Sequence, residues 1–132
     1  MPRTSQPIKL REGLIWVTVL ARTDRGTFRR FEFVLDPGSS QTIFSRWAAK
    51  AIGFPESKKT GDTGFDSVTG HVPAYTFDLP GIIALGRELK NYEVAAKTFP
   101  PRLNVDGVLG LDFFKHTDLS LRLRSAEVVL EW

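Results

Sequence analysis

Apolar positions along this chain come mostly in short bursts with a period of two. Leu14 to Ala21 (Leu-Ile-Trp-Val-Thr-Val-Leu-Ala) is rich in β-branched residues and predicts a strand. Thr23-Asp24-Arg25-Gly26 is turn chemistry, with Gly26 free to take a positive φ. Phe28 to Leu35 then alternates, setting Phe31, Phe33 and Leu35 on one face against Arg30 and Glu32 on the other. The two segments predict a hairpin that runs directly into Asp36-Pro37-Gly38-Ser39-Ser40. A short helix is expected from about Ser45 to Ile52, with Ser45 as N-cap and Gly53 at its stop. Residues 55–64 are polar and read as loop. A second hairpin is expected from Phe65 to Leu79, turning near Thr69-Gly70. Strands at Ile82–Leu85 and Tyr92–Lys97 follow, with Gly86 starting the turn between them. Pro100-Pro101 breaks the chain. Val105-Asp106-Gly107-Val108-Leu109-Gly110 leads into a helical segment from Leu111 to His116, and strands at Leu119–Leu123 and Glu127–Glu131 close the sequence. Short strands with two small helices predict an all-β barrel and not an α/β wrap.

Composition narrows the function classes. The 132 residues, 42% hydrophobic, suffice for one core and predict a single domain over 13–132, with residues 1–12 as a polar arm, loose or paired at an oligomer edge. With no Cys, disulfides, thiolate metal sites and cysteine nucleophiles are excluded. The N-terminus lacks the apolar core of a signal peptide, and no apolar run approaches the roughly 20 residues that span a bilayer. A cytoplasmic protein without a membrane partner is expected. Net charge is +3, and Arg22, Arg25, Arg29 and Arg30 crowd one hairpin. No nucleic-acid module signature accompanies them, so they read as a solvated tip and no nucleic-acid partner is expected. Two histidines, His71 and His116, with no acidic cluster make no metal site, and no cofactor is expected. Gly-x-Ser-x-Gly and a phosphate-binding glycine loop are both missing.

The remaining chemistry centres on Asp36. A strand ending Phe33-Val34-Leu35 would hold this carboxylate against an apolar floor, and Gly38 would let the backbone turn and offer its N–H to it. By itself Asp-Pro-Gly favours an ordinary β-turn over a catalytic carboxylate.

The order of elements resembles the retropepsin-like aspartic proteases of the single-domain type. A hairpin leads into Asp36-Pro37-Gly38-Ser39-Ser40, then Thr42-Ile43-Phe44, a short helix and a Gly-tipped hairpin. Val108-Leu109-Gly110 then looks like that family's hydrophobic-hydrophobic-Gly signature. The resemblance runs from about Leu14 to the C-terminus. It implies a small closed β-barrel with one or two short helices and an aspartic endopeptidase that works as a symmetric homodimer on an extended peptide or protein substrate. Asp36 of each protomer would form the catalytic dyad. Pro37, Gly38 and Ser39 would make the catalytic loop, and Val108, Leu109 and Gly110 would brace it. A flap with Gly70 and His71 near its tip would cover the substrate. Dimer contacts would be sought in the N-terminal arm and in Val128-Val129-Leu130-Glu131-Trp132. Asp62-Thr63-Gly64 is the better match by spelling, but its polar upstream neighbours cannot form a buried inner strand. The departure is Pro37, where the family has Thr or Ser. Proline lacks the hydroxyl that joins the two loops. The alternative is therefore a weak or inactive peptide-binding module of the same fold.

Overall fold

The computed structural model of the chain describes residues 2–67 and 70–132. Its strands are β1 (Arg3–Pro7), β2 (Lys9–Arg11), β3 (Leu14–Arg22), β4 (Phe28–Leu35), β5 (Ile43–Ser45), β6 (Gly61–Ser67), β7 (Gly70–Ala84), β8 (Arg87–Lys97), β9 (Gly107–Leu109), β10 (Asp118–Arg122) and β11 (Glu127–Glu131). One α-helix, α1 (Arg46–Ala51), follows β5 directly. Short 3-10 turns occupy Glu56–Lys58, Pro101–Leu103 and Leu111–Phe114, the last where a helical segment reaching His116 is expected.

Eight strands form one sheet in the order β2-β3-β4-β9-β5-β8-β7-β6, which curls back on itself through an added β3–β7 pairing. The curl encloses a core of interlocking aromatic rings. Phe33 meets Phe44 edge to face at 4.9 Å between centroids, and Phe44 meets Phe77 at 5.6 Å. All three are fully buried, each contributing about 2–3 kcal/mol by removal from water. The apolar run Phe33-Val34-Leu35 has a two-sided explanation. Phe33 and Leu35 enter this core, while Val34 points the other way into a smaller cluster with Trp16 and Val105.

The hairpin β3–β4 turns at Thr23–Thr27, with Gly26 at φ +84°. Ser45 caps α1, its hydroxyl accepting from the Ala48 N–H at 3.2 Å, and Gly53 follows the stop at φ +97°. Strand structure extends further than propensity indicates. Residues 61–64, expected as loop, belong to β6 because Asp62 and Thr63 pair with Tyr75 and Ala74 of β7. Strand β7 also passes unbroken through Pro80, where a break is expected. The ladder with β8 skips Pro80 and the residue opposite it, Asn91, which has φ +51°. The turn expected near Thr69-Gly70 lies partly outside the described residues.

A second sheet has the order β1-β11-β10. Residues 3–7, left between a loose arm and an oligomer edge, pair here with β11 of the same chain. The C-terminal strand is thus hydrogen-bonded on both sides, and the open edges are β1 and β10. Trp132 packs on its own chain, under Arg87 at 5.7 Å from the ring centroid. No helix among the described residues is long and apolar enough to cross a membrane.

Candidate active site

Asp36 leaves the end of β4 at the point where three strands meet. Strand β9 lies between β4 and β5, parallel to the first and antiparallel to the second. The Asp36 N–H donates to the Leu109 carbonyl at 3.0 Å, so the ladder continues into the residue that carries the carboxylate. The chain then makes a tight β-turn in which the Ser39 N–H donates to the Asp36 carbonyl at 3.0 Å. Pro37 sits at the second position of this turn, where its fixed φ suits the geometry. Within the turn the Gly38 N–H donates to Asp36 Oδ1 at 3.0 Å, which fixes the carboxylate relative to the loop. No Lys, Arg or His side chain among the described residues pairs with it.

Behind the turn lies a polar brace. Gly110 packs so tightly that a Cβ there would stand 2.5 Å from the Gln41 carbonyl oxygen and 2.9 Å from that of Ser39. The Leu111 N–H donates to the Ser39 carbonyl at 2.8 Å. The Gly110 N–H donates to Thr42 Oγ1 at 3.2 Å, and Thr42 in turn donates to Asp112 from its N–H and its hydroxyl. Thr42 is fully buried, so these bonds satisfy groups that water does not reach. Tyr92 lies beside this pair. Burial, helped by the Asp112 charge, pushes its phenol far above the usual range, and its hydroxyl makes no well-formed hydrogen bond among the described residues although Thr42 is adjacent. The Thr42 hydroxyl meanwhile donates to Asp112 and accepts from the Gly110 N–H.

Asp36, Gly38 and Ser39 open onto a groove of about 780 Å³ whose walls are mainly apolar, including Val34, Ile43, Val72, Phe99 and Val108. Leu109 and Gly110 lie behind the loop, both buried. The β6–β7 hairpin lines the groove with Phe65, Asp66 and Val72. Gly70 and His71 stand farther along the hairpin and are not part of the lining. The His71 ring covers Gly64 and meets Asp66 Oδ1 at 2.9 Å through Nδ1. Asp62, of the literal Asp-Thr-Gly, is exposed on β6, bound to Lys59 at 2.8 Å and away from the groove. No cluster of three or more His, Cys, Asp or Glu side chains converges among the described residues.

Sequence reasoning places Thr42 and Asp112 within segments of the family pattern but does not pair them as a brace. The available signal was Asp112 itself, one carboxylate in the otherwise apolar run from Val108 to Phe114. A part-buried acid there calls for donors, and Thr42 is the residue the fold supplies.

No curated protein matches the chain. Among solved structures it is similar to a retropepsin-like aspartic protease from Rickettsia conorii, at 16% identity and a TM-score of 0.69, over 98% of this chain and 91% of that one. It is also similar to EIAV protease complexed with the inhibitor HBY-793, at 19% identity and a TM-score of 0.57, over 79% of this chain and 88% of that one. Residues 21–113 match the aspartyl protease family model, a span that includes both the Asp36 turn and the Gly110 brace. The chain belongs to the aspartyl protease family and has the retropepsin-like fold.

Proposed function

We propose that the chain is an aspartic endopeptidase that acts as a symmetric homodimer, with Asp36 of each protomer forming the catalytic dyad. The observation that carries this reading is the carboxylate at the end of a buried strand, held by the Gly38 N–H and facing an apolar groove. Aspartic proteolysis uses two carboxylates about 3 Å apart that share one proton, because both cannot ionise side by side. One serves as base toward water while the other, protonated, polarises the scissile carbonyl. This chain brings one such aspartate, so a two-fold axis beside Asp36 completes the pair. The two carboxyls titrate jointly, and no single pKa belongs to either. The substrate lies extended beneath the β6–β7 hairpin, which acts as the flap and shields the reaction from water. With β11 hydrogen-bonded on both sides, the protomers meet through the face carrying the Asp36 turn and exposed Leu111, or through the β1 and β10 edges.

A second reading rests on Pro37. With neither hydroxyl nor N–H it cannot donate across the axis, so a dimer that binds peptide but turns it over feebly is the alternative.

Subunit mixing tests the proposal. Wild-type protein is held constant at a concentration near half-dissociation while Asp36→Asn protein is added in excess, and cleavage of an unfolded protein is followed. A shared dyad predicts that activity falls as mixed dimers form. Activity indifferent to the added variant contradicts it.

A further inference from the structure

Lys97 ends β8 on the groove side of the sheet. The registers Val34↔Val108, Val108↔Ile43 and Ile43↔Ala95 put these four residues on one face, and Lys97, two positions beyond Ala95, shares it. Its ammonium lies 5.1 Å from the centre of the Phe65 ring on β6 and 4.9 Å from that of Phe99. The two rings flank the part-buried cation, yet neither offers a hydrogen-bond acceptor to its three donors. No carboxylate among the described residues lies within 4 Å of it, while the groove around it is lined by apolar groups such as Val72 and Phe99.

The position along the groove is also defined. Asp36 lies two residues beyond Val34 in one direction, whereas Lys97 pairs with Ser45, two residues beyond Ile43 in the opposite direction. Lys97 therefore serves a part of the substrate several residues from the scissile bond. A carboxylate arriving there meets a cation already partly stripped of water, where attraction is stronger than in bulk solvent.

We propose that Lys97 makes the far end of the groove a subsite for an acidic side chain, Asp or Glu, and so sets the peptide preference. This rests on reading the groove as the peptide site.

The test is fluorescence anisotropy on Asp36→Asn protein, with labelled Ala-Leu-Phe peptides carrying one Glu, Gln or Lys at each position in turn. At one position Glu should bind about threefold to tenfold more tightly than Gln at low salt. That preference should survive Lys97→Arg, vanish in Lys97→Met and Lys97→Gln, and turn toward Lys in Lys97→Glu. Equal Glu-to-Gln ratios in the Lys97 protein and its neutral variants overturn the inference, as does failure of every peptide to bind. The same peptides offered to protein with Asp36 intact separate the two claims. Acid preference in binding without cleavage keeps this inference and removes the catalytic reading, whereas cleavage with no preference at any position does the reverse.

Discussion

Asp112 grips Thr42 twice, accepting its N–H at Oδ2 (2.9 Å) and its hydroxyl at Oδ1 (2.6 Å). Through Thr42 Oγ1 the grip reaches the Gly110 N–H, and Gly110 presses on the carbonyls of Ser39 and Gln41 just behind Asp36. Two residues with no direct part in the proposed chemistry thus fix the loop that carries it.

Removing this grip strands buried donors. Asp112→Ala should destabilise the fold by about 2–4 kcal/mol, because two hydrogen bonds to a carboxylate are lost at a fully buried threonine. Asp112→Asn, which keeps one acceptor, should lose less. Urea unfolding of the three proteins measures the order, and equal midpoints for all three would contradict it.

Gly110→Ala tests the close approach. The new Cβ must push the backbone at Gln41 and Ser39 aside, and strain of this kind typically costs about 1–3 kcal/mol. A fall in melting temperature accompanied by a larger loss of cleavage is expected. An unchanged melting temperature would show that the loop gives way without cost.

Much of this was legible from the residues. The Phe31, Phe33, Leu35 alternation, the Ser45 cap and the Gly26 and Gly53 positions follow from local rules, and the structure places each as local chemistry requires. What escaped was set by pairing between distant segments. Residues 61–64 have little strand propensity, and only their ladder with residues 73–76 makes them strand. The pairing of β1 with β11 joins opposite ends of the chain, and no local pattern reports it. At the site, the Asp36 turn could be read from its sequence. The Thr42–Asp112 brace could not, because it depends on side chains 70 positions apart.

Pro37→Thr restores a hydroxyl beside Asp36. If loop bracing across a dimer limits turnover, cleavage should rise in the variant. Its stability should drop by about 0.4–1 kcal/mol before any gain from dimer contacts, since proline restricts the unfolded chain. Initial rates and thermal melts of the dilute protein measure the two effects. No gain in rate would show that the proline loop is already adequate.

Alkaline pH probes Tyr92. Burial raises its folded pKa above the unfolded value near 10, so the stability tied to its neutral form is fully present below that pH and is lost as pH climbs beyond it. Tyr92→Phe should match or exceed wild type near pH 7, because the hydroxyl it removes has no well-formed partner, and should lose less stability above about pH 10. Denaturation midpoints across this range check both expectations.

Cleavage of an unfolded protein by wild type and by Asp36→Asn, from about pH 3 to 8, addresses the central claim most directly. The account predicts cleavage by wild type and none by a variant that keeps its fold and association state. Equal cleavage by both proteins would contradict it and take the catalytic role away from Asp36.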